Sequence, residues 1–236
     1  MALASEGGNR VAVVAKRKYA TQRKSRCLSV LGKVHWDCML FGQSLINATM
    51  SRRETALYRR LVRDSSGIVE FGCGRSTLLA LRHSRTRIYS VESDRDWIER
   101  LLNRRRVRRA VESRRLCFHH SDLGPVSEWG WPVNPLLAKQ TVTYYSAIWS
   151  RVNNGTIDLV LVDGRFRVAC AIEALRHCPD ATIVIHDFWN RPHYHDVLPA
   201  LLCTDRVDTL GIFVARAYLK PEFLDQLFLK SQFDPR

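Results

Sequence analysis

Two short stretches gather the residues best suited to moving a proton. Asp163-Gly164-Arg165-Phe166-Arg167 carries an acid followed by two arginines. His186-Asp187-Phe188-Trp189-Asn190-Arg191-Pro192-His193-Tyr194-His195 carries three histidines and an acid within ten residues. Imidazole titrates near neutral pH, and an adjacent carboxylate sets its charge and tautomer. Asp163, His186, Asp187 and His193 are therefore the catalytic candidates for taking a proton from a hydroxyl nucleophile, with His195 a further one. Asp163 and Asp187 form the polar centre of this reading, and His186 or His193 is the base. Arg165, Arg167 and Arg191 flank the same residues and have the fork geometry that holds an anionic group.

These side chains need a scaffold. Gly67-Ile68-Val69-Glu70-Phe71-Gly72-Cys73-Gly74-Arg75-Ser76 reads as a buried strand, a tight glycine turn and a helix start. Glu92 closes the next apparent strand, placing a carboxylate about 20 residues on, as in one nucleotide-binding half of a doubly wound sheet. The pattern predicts strands at 67–71, 86–91, 114–119, 157–162 and 181–185. It predicts helices at 76–83, 93–110, 166–176 and 194–202. A closing pair of strands follows at 206–210 and 212–217, too close for an intervening helix, so the last strand should run antiparallel. The fold class is α/β: a doubly wound, Rossmann-like, mostly parallel seven-stranded sheet with an antiparallel last strand. Ser51-Arg52-Arg53-Glu54 is a capping box opening a further helix that should cover one edge of the site. In such a sheet ligands lie beyond the carboxyl ends of the strands, where Asp163 and His186 fall.

A dinucleotide fingerprint would require a third glycine at Thr77, and it is absent. The form Glu70-x-Gly72-x-Gly74 resembles motif I of the class I S-adenosylmethionine-dependent methyltransferases, over residues 50–217. Glu92 matches the acid that in those enzymes binds the ribose hydroxyls, and Asp122 matches the acidic position near the adenine. Ser76 stands where many members have a third glycine. The resemblance implies an adenosylmethionine seat built from Glu70, Gly72, Gly74, Ser76, Glu92, Asp122 and Asp163. Asp163 and Asp187 are similar in position to the Mg²⁺ ligands of metal-dependent small-molecule O-methyltransferases, the macrocin-type sugar enzymes and the catechol type among them. His186 replaces one acid of that pattern, and Asn190 is displaced from its place. The activity implied is methyl transfer to a hydroxyl of a small-molecule or sugar-containing acceptor. A nucleic-acid (RNA) methyltransferase and a non-catalytic adenosylmethionine-binding module are the alternatives. No Asn-Pro-Pro-aromatic signature follows the fourth strand, where Asp163-Gly164 stands.

The chain has 236 residues, 37 Lys or Arg against 23 Asp or Glu, and a net charge of +14, so a polyanionic partner such as nucleic acid fits its balance. Residues 1–36 hold eight Lys or Arg and a single acid, Glu6, and read as a basic, weakly ordered extension over residues 1–30 before one domain at 31–236. That Arg-rich start also resembles an organelle transit peptide in composition. A second cluster spans Arg104, Arg105, Arg106, Arg108, Arg109, Arg114 and Arg115. Neither cluster interleaves the aromatics of a single-strand binding platform. Seven scattered cysteines without CxxC spacing suit reduced thiols and a cytoplasmic protein. No apolar run approaches the ~20 residues of a membrane span.

Overall fold

The sheet is built from strands that are apolar on both faces because helices cover both. The computed structural model describes residues 50–134 and 138–236; the expected boundary at residue 30 lies outside them. In chain order the elements are α1 (Arg52–Asp64), β1 (Gly67–Phe71), α2 (Arg75–His83), β2 (Arg87–Glu92), α3 (Arg95–Leu102), α4 (Arg105–Glu112) and β3 (Leu116–His120). Then come α5 (Ala138–Ser146), β4 (Leu159–Val162), α6 (Arg167–His177), β5 (Thr182–Ile185), β6 (Leu201–Val207), β7 (Leu210–Ala215) and α7 (Pro221–Ser231). The strand order is β3-β2-β1-β4-β5-β7-β6. β1 to β5 pair in parallel, and β7 runs antiparallel to both β5 and β6. The Rossmann-like, mostly parallel arrangement with an antiparallel last strand is the one the sequence pattern predicts.

Strand alternation sends two sets of side chains to two cores. Val69, Phe71, Val160, Val162, Ile183 and Ile185 pack with Tyr144, Phe166 and the apolar residues of α6. Ile68, Leu159, Leu161 and Val184 pack on the other face with Leu57, Tyr58 and Val62 of α1, Ala80 and Leu81 of α2, and Val107 of α4. Truncating Phe71, which is fully buried, would cost about 3–5 kcal/mol by lost transfer energy and the cavity left behind. The aromatic run before β4 belongs to this core: Tyr144, Tyr145 and Trp149 are buried.

Three element boundaries differ from the sequence pattern. The helix expected over 93–110 is two helices. Asp94 caps α3 by accepting the Trp97 N–H, Arg104 takes an extended backbone, and the Arg108 guanidinium donates to the Leu102 and Asn103 carbonyls that α3 leaves open. The helix expected over 194–202 is a short 3₁₀ segment at Pro192–Val197, and β6 already begins at Leu201. Pro199 has no N–H to continue a helix, which separates the two. The closing hairpin turns at Asp208-Thr209, with Asp208 at φ +50°, rather than at Gly211. Gly211 lies inside β7 against the Phe213 ring and Trp189.

Candidate active site

The two proton-moving stretches meet at the carboxyl ends of β4 and β5. His186 Nδ1 lies 2.9 Å from Asp163 Oδ1, and its Nε2 lies 3.7 Å from Glu54 Oε2. Burial alone would lower the His186 pKa, but the Asp163 carboxylate, followed by Asp187, raises it above the ordinary imidazole value. Burial pushes the Asp163 carboxyl upward, and the charges of His186 and Arg167 outweigh it, so its pKa falls below the usual carboxylate value. The carboxylate orients the imidazole and strengthens it as a base across the ends of neighbouring strands.

Arg167 ties the two loops together. It is 3% exposed, and its Nε donates to the Gly164 carbonyl at 3.0 Å while Nη1 donates to the His186 carbonyl at 2.5 Å. Its Nη2 lies 3.3 Å from Asp163 and its Nη1 3.7 Å from Asp187. Arg191 donates to Asp187 at 2.8 Å and to the Tyr194 hydroxyl. Two of the three arginines that the sequence places on the rim are therefore committed to local acids. Arg165 is the third: it is buried, its Nε has no hydrogen-bond partner, and its guanidinium stands 5.2 Å over the Trp131 ring. Burial, then the like charge of Arg167, lowers its pKa.

Asp163 and Asp187, the two carboxylates expected to hold a metal, have other partners in this structure. The Arg167 guanidinium bridges the two carboxylates, and the His186 ring takes the remaining side of Asp163. Mg²⁺ is bound through one or two carboxylates whose oxygens are free, with waters completing its octahedron. Among the described residues no group of three His, Cys, Asp or Glu could hold a metal ion. With Arg167 between them, Asp163 and Asp187 do not present a shared, open pair of oxygens to such an ion.

Backbone approach explains the glycines. Gly72 at φ +90° brings the turn after β1 against the loop after β4; a Cβ on it would lie 2.7 Å from the Gly164 backbone. A Cβ on Gly164 would lie 2.0 Å from the Tyr144 hydroxyl oxygen, so this position, which the sequence reading passed over, is as constrained as the motif glycine. Gly74 differs: a Cβ there would meet only Trp97 Nε1, at 3.8 Å. Its missing side chain leaves room beside the start of α2. Phe166 at φ +51° and Asp187 at φ +55° are non-glycine residues in the left-handed region, one in each strand-end loop. Such strain is kept where the surrounding structure imposes it, commonly at functional sites.

The carboxylates of the glycine turn have separate tasks. Glu70 is 1% exposed and accepts hydrogen bonds from the hydroxyls of Ser76 at 2.5 Å, Thr77 at 2.6 Å and Ser90 at 2.9 Å. Thr77 also accepts the Gly74 N–H. Glu70 and Ser76 thus fix the turn from inside instead of facing its open side, because position 70 in β1 points toward the face covered by α2. Burial raises the Glu70 pKa to about 7 despite the three hydroxyl donors. Glu92, at the end of β2, accepts the N–H groups of Ser93 and Asp94 on Oε1 and of Cys73 on Oε2. Burial raises its pKa as well. Asp122, exposed beyond β3, accepts the Gly124 N–H.

The segment after Asp122 arches over Glu92. Val126 bridges Pro132, Trp129 meets Trp97 at 5.9 Å between ring centroids, and the Gly130 carbonyl accepts from Ser93 Oγ. Trp129 and Trp131 stay 44% and 37% exposed, so they line a surface and are not core.

The remaining histidines lie apart from Asp163. His193 packs on Tyr194, its Nε2 is buried without a partner, and burial followed by the Arg236 charge lowers its pKa. His195 bonds the Phe188 carbonyl and lies against the Phe188 and Trp189 rings. Glu54 is the residue that the sequence reading missed. The capping box signalled its helix, but only the fold places it: Oε1 accepts the Thr209 and Leu210 N–H groups, and Oε2 faces His186.

No protein-family profile and no curated protein sequence matches the chain. Solved structures do. A methyltransferase-like protein from Silicibacter pomeroyi is 29% identical, over 79% of this chain and 97% of its own, with a TM-score of 0.65. An O-methyltransferase from Bacillus cereus in complex with SAH is 15% identical over 80% and 92%, with a TM-score of 0.51. An SAH-bound methyltransferase from Podospora anserina is 14% identical over 81% and 89%, also at 0.51. The last two share the fold. The strand order is that of a Rossmann-like methyltransferase fold, the fold this chain shares with these structures.

Proposed function

We propose that this enzyme transfers the methyl group of S-adenosylmethionine to a hydroxyl of a small-molecule or sugar-containing acceptor that carries an anionic group. The observation that carries this reading is the Asp163–His186 pair, 2.9 Å apart at the ends of β4 and β5 beside the glycine turn. A proton acceptor oriented by a carboxylate is what a hydroxyl nucleophile, protonated at neutral pH, needs.

The residues fit the cofactor. Room beside Gly74 admits its amino-acid end, and Glu92 Oε2, which accepts one backbone N–H, retains capacity for a ribose hydroxyl. Bound adenosylmethionine supplies an activated methyl group; the chain's own task is to align and deprotonate the acceptor. Asp163 holds Nδ1 of His186 and fixes the ring, which leaves Nε2 to take the hydroxyl proton. Glu54, 3.7 Å from Nε2, stabilises the imidazolium that results. Arg165, buried and without a carboxylate partner, pairs with the anionic group of the acceptor. The Bacillus cereus relative is an O-methyltransferase, which agrees with a hydroxyl acceptor.

The test is methyl transfer to a panel of hydroxyl compounds with and without a carboxylate or phosphate, by wild type, Asp163→Asn and His186→Gln. Loss of a general base costs about 10²–10⁴ in turnover. Adenosylhomocysteine binding measured by calorimetry should persist in His186→Gln. Full turnover by a folded His186→Gln enzyme would overturn the assignment.

A further inference from the structure

The largest feature that methyl transfer does not use is an arginine face at the opposite end of the sheet. Arg63 precedes β1, Arg85 precedes β2 and Arg115 precedes β3, so all three lie at the amino ends of strands whose carboxyl ends form the active site. Around them α4 presents Arg105, Arg106 and Arg109, all exposed. An open groove of about 480 Å³ is lined by these three, Arg115, Ala110 and Ser113.

The charges converge and are not neutralised. None of the arginines of this face has a carboxylate within 4.0 Å among the described residues. Burial and then the charges of Arg59, Arg63, Arg82 and Arg106 lower the His83 pKa, which shows that α1, α2 and α4 point positive charge at one place. The arrangement opposes helix stability. Arg105 and Arg106 occupy the first turn of α4, where the helix dipole disfavours cations, and that turn contains no acid. Arg105 and Arg109 are like charges four residues apart. Stability given up at several neighbouring positions points to a ligand that repays it.

We propose that this face docks the phosphate backbone of a double-stranded nucleic acid. Arg115 spends its Nη2 on the Leu81 and Ser84 carbonyls, so the forks offered to a ligand are those of the exposed Arg105, Arg106 and Arg109 with Arg63 and Arg85 beside them. Guanidinium forks match phosphate oxygens bidentately, and several in a row match a repeating anion. None of the exposed large hydrophobic residues among the described ones lies on this face, so it offers neither the stacking platform of a single-strand binder nor the apolar wedge of a membrane-bound helix. Contacts are made to the backbone and hence position the duplex without reading its sequence. The inference does not depend on which acceptor is methylated.

The experiment uses the full chain with a fluorescent duplex RNA, a duplex DNA, a single strand of equal length and anionic phosphatidylserine vesicles, titrated across a salt series. The variant R105Q/R106Q/R109Q removes three exposed charges from the face; R216Q/K220Q/K230Q removes three exposed charges from the opposite side of the sheet. Each lost phosphate contact lowers the slope of log affinity against log salt by about 0.9, so the face variant should lose about 2.7 in slope while the control keeps most of its own. Its melting temperature should stay close to that of the wild type, because Arg105 and Arg106 oppose the α4 dipole and repulsion between Arg105 and Arg109 is relieved, while Arg109 in the last turn favours the dipole. Equal losses in both variants would reduce the effect to net charge and overturn the proposal. An unchanged slope in the face variant, or preference for the single strand or the vesicles, would also overturn it.

Discussion

Glu70→Gln isolates the carboxylate that holds the cofactor turn together. Glu70 is fully enclosed, and its pKa is raised to about 7 from an ordinary 4.5. The folded state therefore binds the proton more tightly than the unfolded chain. Stability from this group is complete below the unfolded value and is lost as pH rises through the folded one. The difference of about 2.5 pH units, at 1.36 kcal/mol each, amounts to about 3 kcal/mol lost between roughly pH 4.5 and pH 7. Glutamine keeps the shape, an acceptor oxygen for the Thr77 and Ser90 hydroxyls and an NH₂ that can donate to Ser76 Oγ, but cannot ionise. Unfolding by urea at pH 5 and at pH 8 should show wild type losing about 2–3 kcal/mol more than Glu70→Gln over that interval. His186, whose raised pKa also removes stability with rising pH, is common to both proteins and cancels in the difference. Parallel pH dependences in the two proteins would refute the assignment of a strained buried carboxylate to this turn.

The Asp163–His186 pair predicts a pH–rate profile whose acidic limb lies above pH 6.5, since the imidazole must be neutral to accept a proton; in Asp163→Asn the limb should move to lower pH in whatever activity survives. Gly164→Ala should destabilise by about 1–3 kcal/mol through its clash with the Tyr144 hydroxyl, and Tyr144→Phe in the same chain should recover part of that loss, as a double-mutant cycle by thermal unfolding would show. Arg165→Gln should raise KM for an anionic acceptor by about tenfold or more and leave a neutral acceptor little changed; equal effects on both would remove Arg165 from acceptor binding.

Much of the fold was legible because its signals are local. The run Ile68-Val69 before Gly72, the alternation of strands and helices, and the spacing to Glu92 follow from burial on both faces of a parallel sheet, which any isolated segment expresses in its own residues. Boundaries failed where a distant side chain decided them. The closing hairpin turns at Asp208-Thr209 because Glu54, about 155 positions earlier, accepts the Thr209 and Leu210 N–H groups. The break between α3 and α4 depends on the Arg108 guanidinium reaching back to two carbonyls.

The site divides in the same way. The sequence by itself determined which residues could do chemistry, since Asp163, His186, Asp187 and the glycine turn all fall at strand ends by their position in the pattern. It could not distribute their roles, because an arginine beside an acid reads alike whether it faces substrate or a neighbour. Only the tertiary structure decided that Arg167 fills the space between Asp163 and Asp187 where a metal was expected. It also turned Glu70 inward onto three hydroxyls and left the Arg165 Nε without a hydrogen-bond partner among the described residues. Charge pairing in a buried site depends on separations of three to four ångströms between residues far apart in the chain, and the packing of β4, β5 and α1 sets those separations.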